Sequence, residues 1–366
     1  MRLLDRYLLK ELLLPVVYAF GGFYLFIVAF DVFNELPRWQ SKGLSGSEIA
    51  LLYVYRTPQL LPDVVPVAVL LGMLYALAQH SRHNELVAIR AAGVNVWRLA
   101  LPYLACGVGF SLLLFASNEY LMPRGEATAN AMLNRTTESQ WSTGISFRNE
   151  GAGRSWNIGA FNTVTFSMRQ VDVGWSDEYG RHHRMFAQAG RRDDDVWKFE
   201  HVELHEPDAA NPGFPLKTIT DSITMPGFTE TPELIASEIK ISSMSSARLA
   251  KKVRFSLQEI ENYLTLHPHL TGGRAAELKT QLHGRLAMPW TCLVVVLLAL
   301  PFGLLPGRRN AMVSIGMAIG VAFVYFFLSR LSLALGTGGH LPGWLAGWLP
   351  GLLFGGSGAA LVKRMA

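Results

Sequence analysis

Apolar and polar positions divide this chain into long greasy runs and a middle of different texture. Residues 12–30, 64–79, 99–118, 286–307, 310–329 and 331–362 carry no Asp, Glu, Lys or Arg. At about 1.5 Å per helical residue, such runs are of the order needed to cross a hydrocarbon core of roughly 30 Å. No water is available there to satisfy backbone amides, so each run must be helical and the pattern predicts six transmembrane helices. The second run is short, but Leu60 and Leu61 precede it and Asp63 can sit at the interface, which moves the predicted start to near Pro58. The last run holds a glycine-rich turn at 336–339, with its helix predicted from near Leu341. Pro15, Pro66, Pro289 and Pro301 then mark kinks or first turns.

From residue 119 to about 280 the period changes. Val164, Phe166 and Met168, then Val171, Val173 and Trp175 after a shift of one, alternate as strand residues do, with a β-bulge predicted at the shift. Trp197 and Phe199 continue the alternation, and turns are predicted at 178–180, 193–195 and 211–213. Short strands at this spacing suggest a sandwich or jellyroll-like domain. Leu249, Val253, Leu257, Ile260 and Leu264 revert to helical spacing, predicting a helical return segment at about 245–266. The expected fold class is membrane α-helical, six transmembrane helices with an inserted all-β, jellyroll-like domain. Its expected parts are residues 1–122 for helices one to three, 123–280 for the β domain, and 281–366 for helices four to six.

Charge orients this arrangement. Arg2, Arg6, Lys10, Arg82, Arg90, Arg98, Arg308, Arg309, Lys363 and Arg364 fall on one side, against Arg38, Lys42, Arg56 and Arg330 in the opposite short loops. The positive-inside rule makes the richer side cytoplasmic, with both termini there and the β domain outside. Composition agrees, since 50% hydrophobic and 17% charged residues suit lipid better than water. The net charge of +5 comes without a cluster of basic residues, so nucleic acid is not an expected partner. Cys106 and Cys292 both lie in apolar runs, where neither a structural disulfide nor a metal site is expected. The basic N-terminus resembles a signal peptide, but no small-residue cleavage site follows and an anchor is expected.

Chemistry is sparse. The chain has no GxxxxGK[ST], HExxH, GxSxG or CxxC, so no cofactor and no catalytic residue are expected, and any energy must come from another chain. His182 and His183 are adjacent and would point to opposite faces of a strand, which argues against a metal cluster with His201 and His205. More telling is the loop at 82–93. Asn84 can cap a short helix with Glu85 in its first turn and Gly93 at its end, and Leu86, Ile89 and Arg90 then share one side. Such a face is either a connector lying on the lipid surface or a docking knob for a soluble partner. At the other end, Asp31, Glu35, Arg38, Arg56, Asp63, Asn118, Glu119, Arg124 and Arg330 form a polar belt. Most of it reads as ordinary interfacial residues, but Arg330 beside a very apolar run is suited to bidentate contact with a lipid phosphate.

The ordering of these features resembles the lipopolysaccharide export permeases of the LptF/LptG type. The pieces are Asp5-Arg6-Tyr7, Pro66 with Leu71-Gly72, Asn84-Glu85-Leu86 with Ala91-Ala92-Gly93, and Asn118-Glu119-Tyr120-Leu121-Met122-Pro123. They continue with Trp156-Asn157-Ile158-Gly159, Trp197-Lys198-Phe199, His283-Gly284-Arg285 through Pro289, and Trp348-Leu349-Pro350. The resemblance spans essentially the whole chain. It implies a bacterial inner-membrane permease with a periplasmic jellyroll, not itself an enzyme. The implied partners are a cytoplasmic ATP-binding subunit dimer, a second homologous permease, periplasmic β-jellyroll bridge proteins, and lipopolysaccharide as cargo. It further implies that Glu85, Leu86, Ile89 and Arg90 receive the ATPase, and that helices one, two and five line a lipid cavity. Where the family carries basic residues at the end of helix one, this chain has Asp31 and Glu35, which shifts the expected phosphate contacts to Arg38, Arg56, Arg135 and Arg330. Phe166, Trp175 and Phe199 would offer acyl chains a greasy groove, against the blander reading of a packed core. Gly316 and Gly320, at GxxxG spacing, suit a close helix interface. Two other classes stay open: an envelope scaffold anchored by its helices, and a polytopic lipid-modifying enzyme.

Overall fold

A computed structural model describes residues 3–133, 141–177, 179–193, 195–207, 215–242, 255–304 and 311–365. The chain forms two compact units, Met1–Leu133 with Gly272–Ala366, and Asn134–Thr271. The sequence boundaries near 122 and 281 fall inside continuous helical structure, so the helical unit continues past both.

The helical unit contains α1 (Leu3–Ser41), α2 (Gly46–Arg82), α3 (Glu85–Ala91), α4 (Val96–Ala116) and α5 (Met122–Leu133). After the second unit it resumes with α8 (Gly273–Ala287), α9 (Thr291–Leu304), α10 (Ala311–Thr337) and α11 (Gly343–Met365). Among the described residues, six helical stretches are long and apolar enough to cross a membrane, two of them built from α4 with α5 and from α8 with α9. Many of these helices outlast their apolar runs: α1, at 39 residues, spans about 58 Å, so its ends must leave the hydrocarbon. The fifth run does not stop at Ser329. α10 continues through Arg330 to Thr337, because the guanidinium finds a carboxylate at Asp63 and the chain turns only at the glycines, with Gly339 at φ +77°. Shared core residues from several helices include Leu8, Leu12, Val69, Met73, Tyr103, Val295 and Leu300. Close backbone approach needs glycine here. A Cβ on Gly72 would overlap Val16, and Gly343 and Gly347 of α11 lie against the backbone of α8.

The second unit is an antiparallel meander in the order β1-β2-β3-β4-β5-β6. Its strands are β1 (Trp141–Asn149), β2 (Arg154–Asn162), β3 (Ser167–Ser176), β4 (His182–Asp193), β5 (Val196–Glu206) and β6 (Leu216–Met225). The shift of one at Gln170 is present, but no bulge produces it. Ile158 pairs with Val171 and Ala160 with Arg169, so the register is unbroken and no residue is extra. The cause is a left-handed residue within the strand: Gly144 in β1, Gln170 in β3 and His201 in β5 have φ of +67°, +54° and +53°. These positions line up across the sheet as a crease. Inward positions change parity on crossing it, from Ile158 to Phe161 in β2 and from Phe199 to Val202 in β5. Gly159, opposite Gln170, must lack a side chain, since its Cβ would come within 2.8 Å of Gln170 Cβ.

The apolar face of this sheet is covered by α6 (Pro232–Ser242), the segment before it, and the end of α7 (Leu257–Leu266). Phe228, Ile235 and Leu266 join Trp156, Val173, Trp197 and Phe199 in one core. α7 is the described part of the predicted return segment, and a capping box of Ser256 and Glu259 starts it. Leu249, Val253 and the predicted turn at 211–213 lie outside the described residues.

Candidate functional site

At one end of the helical unit, α3 is tied to the spans beneath it. Asn84 does not cap through its side chain; it turns the chain by adopting φ +57° itself, and Gly93 leaves the helix at φ +82°. Glu85 is thereby aimed inward. Its carboxylate accepts from the Tyr7 hydroxyl of α1 at 2.9 Å and lies 2.7 Å from His80 Nδ1 of α2. His80 is buried, while the Glu85 side chain keeps 31% of its exposure. Burial pushes the Glu85 carboxyl up, but the hydrogen bonds from His80 and Tyr7 outweigh it, leaving the group below the usual carboxylate range. Leu86 is 5% exposed and sits in the bundle core, with Ile89 packed against the same core and Arg90 half-buried. The surface α3 presents outward is instead Val87, Ala88 and Ala91, beside Arg82 and His83. Nearby, Asp5 of α1 and Arg98 of α4 form an ion pair at 2.7 Å. Four helices are thus joined at this end.

At the opposite end, Arg38, Arg56 and Arg330 of the polar belt each face a carboxylate. Arg330 of α10 meets Asp63 of α2 at 3.1 Å, and Arg56 of α2 meets Asp31 of α1 at 3.7 Å. Tyr53 donates to the same Asp31 at 2.7 Å, and the Arg56 guanidinium lies over Trp39. Arg38 pairs with Glu35 of its own helix and stays exposed. Asp31 and Glu35, the departure noted in sequence, therefore stand as partners of the arginines. A phosphate that engaged Arg56 or Arg330 would compete with a carboxylate already in place. Arg135 lies outside the described residues. Gly316 and Gly320 are exposed, with nothing within 4 Å of a Cβ on either.

In the sheet unit, Phe199 is fully buried, while Phe166 and Trp175 are half-buried. The ring of Phe228 packs edge-on against Trp156, Trp175 and Phe199, filling the space between them. Its segment is pinned by Glu230, whose side chain is wholly buried and accepts from Arg154 at 3.0 Å and from Asn149 at 2.8 Å. Trp197 Nε1 donates to the Glu230 carbonyl. His183 stacks on Trp175 and pairs with Asp177, whose carboxyl hydrogen bonds to Arg181 and His183 hold down to about 2 despite the opposing push of desolvation. No grouping of three or more potential metal ligands occurs among the described residues. Sequence reasoning missed Tyr7, His80, Phe228, Glu230 and Arg154 as site residues. The partners of Tyr7, Glu230 and Arg154 are more than seventy residues away, so no local spacing marks them, and His80 meets Glu85 only because the chain turns between α2 and α3.

Residues 6–364 match the family described as Lipopolysaccharide export system permease LptF/LptG. The chain belongs to this family. Among curated proteins it is similar to the lipopolysaccharide export system permease protein LptG of Escherichia coli strain K12, 23% identical over 345 residues, covering 90% of this chain and 89% of that protein. The protein of the same name from E. coli O6:H1 matches to the same extent. Full-length family membership agrees with the six membrane helices and the inserted antiparallel sheet. It also fixes the broad role, a permease subunit of a lipopolysaccharide export system.

Proposed function

We infer that this chain is a non-enzymatic subunit of an ATP-driven exporter that lifts lipopolysaccharide out of the outer leaflet of the bacterial inner membrane. Exposing acyl chains to water costs about 0.8 kcal/mol per CH₂, so a lipid with several chains needs both a sheltered path and an energy source. The sequence carries no GxxxxGK[ST] phosphate loop, and in this reading a separate cytoplasmic ATP-binding dimer supplies the energy. The observation that carries this reading is the grip on Glu85. One carboxylate binds α1 through Tyr7 and α2 through His80, so a load applied to α3 is passed to two membrane spans at once.

In this reading the exposed Val87, Ala88 and Ala91, with Arg90 at their edge, meet the ATPase, and Glu85, Leu86 and Ile89 hold the helix to the bundle. Both termini and α3 are then cytoplasmic, and the sheet unit is periplasmic, facing a jellyroll bridge toward the outer membrane. A second homologous permease covers the apolar faces of α1 and α10, where Gly316 and Gly320 are open. Lipid phosphates engage Arg38, Arg56, Arg135 and Arg330 by displacing the carboxylates. Acyl chains reach Phe166, Trp175 and Phe199 only when Phe228 withdraws. The test is co-purification with the ATPase and partner permease, followed by ATP-dependent release of lipopolysaccharide from proteoliposomes. Failure of any ATPase to associate would overturn the reading.

A further inference from the structure

The third membrane-spanning stretch is interrupted once, between α4 and α5, by a π-helical turn at Ser117–Leu121. Pro123 explains it. Proline has no N–H to give the carbonyl one α-turn back, and its ring crowds that carbonyl, so α-helical bonding cannot pass through Glu119. The helix widens, and the N–H of Met122 goes to Ser117 O, five residues earlier. Asn118 O is thereby stranded, because Met122 is engaged and position 123 has no donor. Asn118 is buried, and in a membrane an unmet carbonyl is costly. The missing donor comes from another helix: Arg285 of α8 donates to Asn118 O at 2.6 Å and lies 3.8 Å from Met122 Sδ. Beyond the turn, α5 packs back on α2, with Gly125 so near the Tyr55 carbonyl that a Cβ would overlap it. Lys42, just past α1, donates to Leu133 O at the far end of α5 at 2.9 Å.

We propose that Arg285 is a positioning residue that supplies the hydrogen bond Pro123 withholds, locking the π-turn and setting the direction in which α5 leaves the bundle. α5 in turn buttresses the ends of α1 and α2 that carry Asp31 and Arg56. π-turns of this kind recur at functional positions in helices. The consequence for transport rests on the reading given above, whereas the lock itself stands apart from it.

The test is a double-mutant comparison in the full-length chain, assembled with its ATPase and partner permease, using Arg285→Met, Pro123→Ala and the two combined. Two readouts are taken: melting temperature in detergent, and ATP-dependent release of lipopolysaccharide from proteoliposomes. Arg285→Met is expected to lower the melting temperature and to slow release about tenfold, as for loss of a charged donor to a buried carbonyl. Pro123→Ala alone stays near the parent. The combined variant recovers most of both losses, because the restored amide at position 123 now serves Asn118. Arg285→Lys, keeping a donor, falls between. If Arg285→Met fails to fold, recovery of folded protein in the combined variant gives the same support. A combined variant no better than Arg285→Met in either readout overturns the proposal, because the arginine then acts elsewhere. If the parent releases no lipopolysaccharide, the transport reading fails while the melting comparison still decides the lock.

Discussion

Replacing Glu85 by alanine isolates the connection between α3 and the membrane spans. The substitution removes two hydrogen bonds to a carboxylate, from Tyr7 and His80. Bonds to charged groups contribute about 1.5–3 kcal/mol each, and the partial exposure of Glu85 argues for the low end, giving about 2–3 kcal/mol for the pair. His80 is left buried without its carboxylate partner, which works in the same direction. At about 1.4 kcal/mol per decade, the population of detached α3 should rise by roughly 30- to 150-fold. Amide hydrogen exchange at residues 85–91 reads this directly and should speed up by that factor, with little change in the middle of α2. In the assembled exporter, ATP hydrolysis should persist while lipopolysaccharide release per ATP falls. Unchanged exchange in α3, or an equal loss of hydrolysis and release, would refute the view that Glu85 works as a tether.

The same carboxylate gives a pH dependence. Its folded-state titration lies below the ordinary range, so its contribution is complete at neutral pH and is lost as pH falls through that depressed value. Exchange at α3 should therefore rise in acid in the parent and much less in Glu85→Gln. In the sheet unit, Glu230→Ala leaves Arg154 in a buried site without its charge partner and should cost about 3–5 kcal/mol, seen as a lower melting temperature by tryptophan fluorescence; a loss under about 1 kcal/mol would contradict the burial. Gly72→Val forces α1 away from α2 at Val16 and should destabilise by about 1–3 kcal/mol in detergent unfolding, whereas Gly316→Val, with open space around it, should not. Phe228→Ala empties the space between Trp156, Trp175 and Phe199, so lipid crosslinking from Trp175 should increase if acyl chains enter there, and a drop would count against entry.

Absence of charge over helix-length runs was enough to place six membrane helices, because lipid leaves the backbone no other solution. Period-two alternation likewise marked the inserted sheet, and even the parity change near Gln170 was visible. What alternation could not say was its cause, since a bulge and a left-handed residue shift side chains alike; register against β2 and β4 separates them. The short helix at 85–91 was legible from its turn residues, but the direction of Glu85 and Leu86 was not. That depends on Tyr7 and His80 arriving from other helices. The arginines of the polar belt were legible as charges, yet their pairing with Asp31 and Asp63 joins residues up to 267 positions apart. Local hydrophobic pattern is set by the solvent each residue meets, and that can be read along a line. Which polar group answers which is set by helix packing across the bundle, and only the folded chain decides it.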